Sequence, residues 1–153
     1  MGEVDKQGNV NVTKFGQVFT GCGGFINISQ NAKKVVFCGT FTSGGLKIQI
    51  REGKVNILKE GKHRKFVNQV QQISFSGEQA IKRGQEVLFV TERGVFELTE
   101  SGVILVEIAP GVDIEKDIAR QMEFDLKVAD ELKSMDKRIF QQELMGIKFT
   151  NSA

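Results

Sequence analysis

The chain has 153 residues, 40% of them hydrophobic and 26% charged, with a formal net charge of +2. That balance excludes a disordered tail and a membrane-embedded bundle, and so small a basic excess does not argue for a nucleic-acid partner. Seventeen glycines against a single proline, with 12 phenylalanines and neither tryptophan nor tyrosine, point to many tight turns and close backbone approaches. The length predicts one domain over residues 1–153 with its own core. Two cysteines, Cys22 and Cys38, have no second pair for a disulfide framework, and no stretch reads as a signal peptide or a membrane span. The expectation is a cytoplasmic protein with reduced thiols and no membrane partner.

In chain order, short extended pieces come first, at Val10–Thr13 and Val18–Phe19, punctuated by Gly16, Gly21, Gly23 and Gly24. A helix is predicted after Gly24, because the run through Ser29, Gln30, Asn31 and Ala32 lacks β-branched residues. Val35–Cys38 is a brief apolar run ending at Gly39, as expected of a strand buried on both faces. Leu46, Ile48 and Ile50 alternate with polar residues, Glu52-Gly53 turns the chain, and Val55 and Ile57 resume the alternation. This predicts a hairpin with one buried face. Ser76-Gly77-Glu78-Gln79 fits a capping box for a short helix ending at Gly84. Three strands follow at Val87–Val90, Val95–Leu98 and Val103–Ile108, and Pro110-Gly111 closes the run. Asp113 caps a predicted helix with Ile114, Ile118 and Met122 on one face, and Val128–Leu144 is predicted as one more helix. Taken alone, these elements describe an α+β chain joined mostly by hairpins.

The densest local signal is Thr20-Gly21-Cys22-Gly23-Gly24-Phe25. Glycines ahead of a helix let the backbone approach a ligand and turn free N–H groups toward a phosphate or a developing oxyanion. The pattern is neither GxGxxG nor a P-loop, and a plain tight turn accounts for it equally well. Cys22 beside a helix start invites a nucleophile reading, but a base is required. The single histidine, His63, lies in the basic turn Lys59–Lys65, so a small, half-buried side chain is the plainer reading of Cys22. Zinc ligation by Cys22, Cys38 and His63 lacks paired spacing. The basic turn itself reads as a solvated connection between strands; no aromatic is interleaved with its charges as single-strand binding requires. The 19 acidic residues offer no spacing that singles out an acid/base pair.

Several stretches together are more specific. Val4-Asp5-Lys6-Gln7-Gly8-Asn9-Val10-Asn11-Val12, GCGGFINISQNAKKVVFCGTFTSGG from Gly21 to Gly45, Val90-Thr91-Glu92-Arg93-Gly94-Val95-Phe96 and Ile108-Ala109-Pro110-Gly111-Val112-Asp113 occur in the order found in one family. Over nearly its full length the chain resembles the C-terminal part of the family I CoA-transferases, the acetate/propionate and 3-oxoacid type. The resemblance replaces the α+β reading with an α/β fold: a strand-rich C-terminal portion of a mixed-sheet domain of the NagB/RpiA/CoA-transferase type. It implies ping-pong transfer of CoA between an acyl-CoA and a short-chain carboxylate through a glutamyl-CoA thioester, in short-chain fatty-acid and ketone-body metabolism. It implies coenzyme A thioester as substrate with no tightly bound cofactor, and no metal.

The resemblance also sets residue expectations. Gly21, Gly23 and Gly24 match the family's glycine loop, which lines the acyl and CoA site and supplies backbone N–H near the oxyanion; relatives vary at the place of Cys22. The family's nucleophilic glutamate, in a Glu-Asn-Gly or Glu-Ser-Gly motif, falls upstream of Met1. The expectation is a β-subunit-like segment without a catalytic residue of its own, partnered by the upstream segment and forming a homo-oligomer. Glu100-Ser101-Gly102 spells the same three letters but joins two predicted strands after the glycine loop, and Glu100 is read as a hairpin residue. Two other functional classes stay open from the residues themselves: a non-catalytic interaction module, and acyl transfer on Cys22.

Overall fold

The structure is a computed structural model and describes residues 1–147. Its elements are β1 (Glu3–Asp5), β2 (Val10–Asn11), β3 (Lys14–Phe15), β4 (Val18–Phe19), α1 (Phe25–Asn31), β5 (Lys34–Cys38), β6 (Thr42–Ser43), β7 (Lys47–Arg51), β8 (Lys54–Lys59), β9 (His63–Arg64), β10 (Phe66–Val67), α2 (Gly77–Lys82), β11 (Glu86–Val90), β12 (Gly94–Thr99), β13 (Gly102–Ile108) and β14 (Lys127–Ser134). Five of the strands form one mixed sheet in the order β14-β13-β12-β11-β5. The β5/β11 and β13/β14 pairs are parallel, and the two pairs between them are antiparallel. A small sheet of β10, β1 and β2 and three two-stranded ribbons surround it. The mixed sheet agrees with the α/β expectation.

Alternation along the strands decides which face each side chain meets. Val35 and Phe37 of β5 pair with Val87 and Phe89 of β11, and Phe89 pairs with Phe96 of β12. These residues form one face with Leu98, Val103 and Leu105, and they pack against Val4, Val10, Phe41, Phe66, Phe75, Ile118 and Met122. The phenylalanines are concentrated here: Phe37 stacks on Phe89 at 5.6 Å between ring centroids and meets Phe75 edge-on at 5.0 Å, while Phe66 lies 4.5 Å from Phe41 and 4.8 Å from Phe96. Such aromatic pairs contribute about 0.5–1.5 kcal/mol each beyond area burial. On the opposite face a smaller cluster joins Val55 of β8, Val95, Ala109, Met135 and Phe140, with Leu88, Val90, Val106 and Ile57 half-buried against it.

Local chemistry places the helices and turns. Ser76 caps α2 by accepting from Gln79 N–H at 3.3 Å. The helix closes as a Schellman turn, with Gln85 N–H donating to the Ala80 carbonyl and Gly84 N–H to that of Ile81. α1 has no side-chain cap; it is held by Phe25 stacking on Phe37 at 5.6 Å. Gln85 Nε2 donates to the Ser29 carbonyl, which ties its far end to the start of β11. Glu52 and Gly53, at φ +54° and +71°, form the two-residue left-handed turn between β7 and β8.

Four expectations are corrected. Val128–Leu144 is not a helix: Lys127–Ser134 runs as β14 along the open edge of β13, and residues Lys137–Phe140 form a 3₁₀ turn. The edge of β13 offers unpaired backbone groups, and Leu132 packs on the core, which outweighs the helix propensity of this Leu-, Lys- and Glu-bearing run. The pairing is irregular, with β14 advancing from Val128 to Lys133 while β13 advances from Leu105 to Glu107. The segment after Asp113 is a short π-helical turn, Ile114–Ile118, followed by a 3₁₀ turn, Ala119–Gln121; Ile118 and Met122 are buried but Ile114 is not. β5 is an edge strand with one buried face, since Val36 and Cys38 remain exposed. The predicted hairpin forms, but only Val55 of β8 is fully buried, and every residue of β7 is exposed.

Candidate functional site

The glycine loop leads from β4 into α1. Phe25 N–H closes a turn on the Cys22 carbonyl at 3.0 Å, and Ile28 N–H bonds to the Gly24 carbonyl at 3.0 Å. Gly21 and Gly23 stand at φ +75° and +51°, with nothing within 4 Å of where a Cβ would be. Glycine is selected here by backbone conformation, and the space beside it is open. Because Phe25 stacks on Phe37, near the last residue of β5, the loop sits at the carboxyl end of the parallel β5/β11 pair. Open α/β sheets bind ligands at that end of their strands.

Glu100 is elsewhere. It lies exposed in the turn between β12 and β13, where Ser101 N–H donates to Thr99 Oγ1 and that hydroxyl donates to the Gly102 carbonyl. Since Leu88 pairs with Glu97, this turn projects beyond the amino end of β11, opposite the end that carries the glycine loop. Glu100 borders a cleft of about 820 Å³ whose lining includes Lys6, Lys127, Glu78, Glu123 and Asp125. The sheet thus keeps Glu100 and the glycine loop apart. Cys22 is half-buried and Cys38 exposed. His63 is on β9, paired with Ser43 and packed beside Gly44. Among the described residues no group of three or more histidine, cysteine or acidic side chains is placed to hold a metal ion.

The most heavily engaged polar side chain is one the sequence reading left without a role. Arg93 is fully buried. Its guanidinium pairs with Glu60 through two bonds of 2.8 Å, donates from Nε to Glu92 at 3.0 Å, reaches the Asp117 carbonyl at 2.5 Å, and lies 4.9 Å from the Phe41 ring centre. Thr42 Oγ1 donates to Glu60 at 3.1 Å, and Glu92 accepts from Phe41 N–H at 2.9 Å. Burial pulls the Arg93 pKa down, but the hydrogen bonds it donates to the Glu60 and Glu92 carboxylates prevail and hold it above its ordinary value. Burial likewise opposes ionisation of Glu60, and Arg93 prevails there too, keeping that carboxyl below its usual range. The network locks the β8–β9 connection and the segment after Asp113 onto the β11–β12 turn. Its trace in the sequence was Glu92-Arg93-Gly94, a charged pair inserted between two apolar strands.

A second network explains another matching stretch. Asp5 is buried; its Oδ1 accepts from Gln7 and Asn9 N–H at 3.0 and 3.1 Å, and its Oδ2 from Asn9 Nδ2 at 3.1 Å. Asn9 Oδ1 then accepts from Gly77 N–H at 3.0 Å, fixing the start of α2 to the β1–β2 turn. Val4–Val12 and Val90–Phe96 are therefore scaffold, whereas Gly21, Gly23 and Gly24 of the glycine loop are exposed.

No family model matches the chain. Among curated proteins, the chain is 49% identical over 151 residues to acetate CoA-transferase YdiF of Escherichia coli (strain K12), covering 99% of this chain and 28% of that protein. It is 43% identical over 152 residues to the caffeate CoA-transferase of Acetobacterium woodii, covering 96% of this chain and 29% of that protein. Among solved structures, the acyl-CoA transferase YdiF apoenzyme from Escherichia coli O157:H7 superposes with a TM-score of 0.94 at 50% identity, over 96% of this chain and 28% of that one. The same enzyme has been solved as a thioester complex with CoA, again with a TM-score of 0.94. Glutaconate CoA-transferase from Acidaminococcus fermentans shares the fold, with a TM-score of 0.63 at 20% identity over 89% of this chain. The chain spans a little over a quarter of the length of the curated relatives it matches. By sequence and by fold it is homologous to a segment of the CoA-transferases.

Proposed function

We propose that this chain is the glycine-loop segment of an acyl-CoA:carboxylate CoA-transferase whose nucleophilic glutamate is supplied by a segment outside the matched stretch. The observation that carries the reading is 49% identity across 99% of the chain, with the glycine loop exposed at the carboxyl end of the parallel strands. In this reaction a glutamate carboxylate attacks the thioester carbonyl carbon. The tetrahedral oxyanion collapses to expel CoA thiolate and leave a mixed anhydride. The thiolate returns to the glutamyl carbonyl, releasing the first carboxylate and forming a glutamyl-CoA thioester, which the acceptor carboxylate resolves by the same steps in reverse. The chain contributes backbone N–H groups of Gly21, Gly23 and Gly24 on an open surface where a thioester oxygen can be met as charge develops. CoA thioester is a substrate in this scheme, not a resident group. A cytoplasmic location, a homo-oligomeric state and short-chain fatty-acid and ketone-body metabolism as setting belong to the same reading.

The test is reconstitution. The chain alone is expected to show no CoA transfer from acetoacetyl-CoA to acetate. Co-expression with the part of the E. coli acetate CoA-transferase outside the matched stretch is expected to restore it, and Gly23→Ala to remove it again. Turnover by the chain alone that survives Glu100→Ala would overturn the assignment of the nucleophile to another segment, and loss of that turnover in the same variant would promote Glu100.

A further inference from the structure

The second hydrophobic cluster is open on two flanks. On the sheet, Leu88 packs into it, yet Val36, its partner in register on β5, is 47% exposed, and Cys38 beside Val90 is exposed as well. On the hairpin, Val55 and Ile57 pack into it, while their partners on β7, Ile50 and Ile48, are 51% and 38% exposed. The apolar surface therefore runs on from a buried cluster in both directions. The outer edge of β5 has no strand beside it among the described residues, and the exposed Lys34–Glu86 pair at 3.0 Å gives the sheet flank a polar rim. A parallel strand pair is ordinarily covered on both faces, and here the β5 side is covered on one.

We infer that these flanks are the docking surface for the CoA-transferase segment that the relatives carry in addition to the matched stretch. The inference rests on the proposed function and adds which surface of this chain meets that segment. Its occupant follows from length: the chain spans 28% of the acetate CoA-transferase it matches at 49% identity, so nearly three quarters of such a protein lies outside the stretch and is available to cover an open core. Val36, Ile48 and Ile50 are the apolar anchors, and Cys38, on the same face of β5 as Val36, is a built-in reporter of coverage.

The chain is co-expressed with the remaining part of the E. coli acetate CoA-transferase and captured through a tag on that part. Maleimide labelling is then followed peptide by peptide. Cys38 is expected to label at least about tenfold more slowly in the complex than in the chain alone, and Val36→Asp or the pair Ile48→Asp/Ile50→Asp to lower complex yield about tenfold or more. Because these positions are exposed, the urea midpoint of the isolated variants is expected to match the parent, which separates docking from folding. Failure to co-purify, unchanged Cys38 labelling in the complex, or wild-type capture of Val36→Asp overturns the inference. So does light scattering that shows a dimer of this chain already protecting Cys38. CoA transfer by a complex with reactive Cys38 refutes the docking surface and keeps the proposed function; a protected Cys38 in a complex without CoA transfer does the reverse.

Discussion

Arg93→Met is the sharpest test of what holds this segment together. The guanidinium is wholly buried and makes its ion pairs with Glu60 and Glu92 inside the protein. Methionine fills much of the volume but leaves both carboxylates without their cation. Glu92 keeps only 11% of its side chain exposed, whereas Glu60 keeps 33% and recovers part of its hydration. Breaking a buried pair from one side costs about 3–5 kcal/mol, and the partial exposure of Glu60 places the expected loss near the lower end, about 3 kcal/mol. Against a total stability of about 5–15 kcal/mol for a domain, that is a large share. With a urea m-value of about 1–3 kcal/mol/M, the midpoint should fall by roughly 1–3 M. Tryptophan and tyrosine are both absent from the sequence, so the melt is read by far-UV circular dichroism. Glu60→Gln keeps one acceptor for Arg93 and should cost less, about 1–2 kcal/mol. The double variant should lose less than the sum of the two, because removing both charges relieves the orphaned carboxylate. A midpoint for Arg93→Met within about 0.3 M of the parent, less than 1 kcal/mol at such an m-value, would refute the account of this network.

Further expectations concern pH, packing and the loop. The folded Glu60 carboxyl titrates below its ordinary value, so its contribution to stability is complete above the unfolded carboxylate range near pH 4.3 and is lost as pH falls through the folded value. Urea midpoints measured between about pH 5 and pH 3 should drop more steeply in the parent than in Glu60→Gln, and parallel curves would contradict the pairing. Gly77→Ala drives a Cβ into the Gln7 carbonyl at the α2–β1 junction; a loss of about 2–3 kcal/mol in the same melt is expected, and a neutral result would show that the junction yields. Gly23→Ala meets no neighbour within 4 Å and should cost only about 1–2 kcal/mol for its left-handed φ, so a folded variant tests the loop's chemistry separately from its stability.

The order of strands from β11 to β13 was legible because each alternates or runs apolar between glycine-bearing turns, and α2 because Ser76 and Gly84 mark its ends. The glycine loop was legible as a loop before a helix, though its place at the carboxyl end of the sheet depends on Phe25 meeting Phe37, a contact that local spacing does not encode. β14 was not legible. Its Lys-, Glu- and Leu-bearing residues favour a helix in isolation, and only the open edge of β13, set by residues some twenty positions earlier, makes a strand the better use of that backbone. The one-sided burial of β5 escaped for a related reason: a short apolar run reads as a doubly buried strand, and the sequence does not say which neighbour covers its second face. Arg93 was missed as a role though not as a motif, since its partners Glu60, Thr42 and Asp117 are brought to it only by the fold.

The chain divides its labour between an internally satisfied scaffold and surfaces left open. Where it is self-sufficient, the polar groups are satisfied internally: Asp5, Asn9 and Arg93 have every buried side-chain atom bonded among the described residues, and they stitch distant segments into one scaffold. Where it is not, apolar side chains continue past the buried cluster into solvent at Val36, Ile48 and Ile50, and the glycine loop presents backbone to open space. A scaffold satisfied in its polar interior has no need of such flanks for its own stability, and exposing them raises the risk of aggregation. Their retention beside an exposed glycine loop is what a segment requires if it must bury one surface against a partner and offer another to a ligand. Aspartate at Val36, an exposed position, should leave the urea midpoint alone under either alternative; loss of partner capture is expected only if this flank docks the partner, and a self-contained domain would show no change in either measurement.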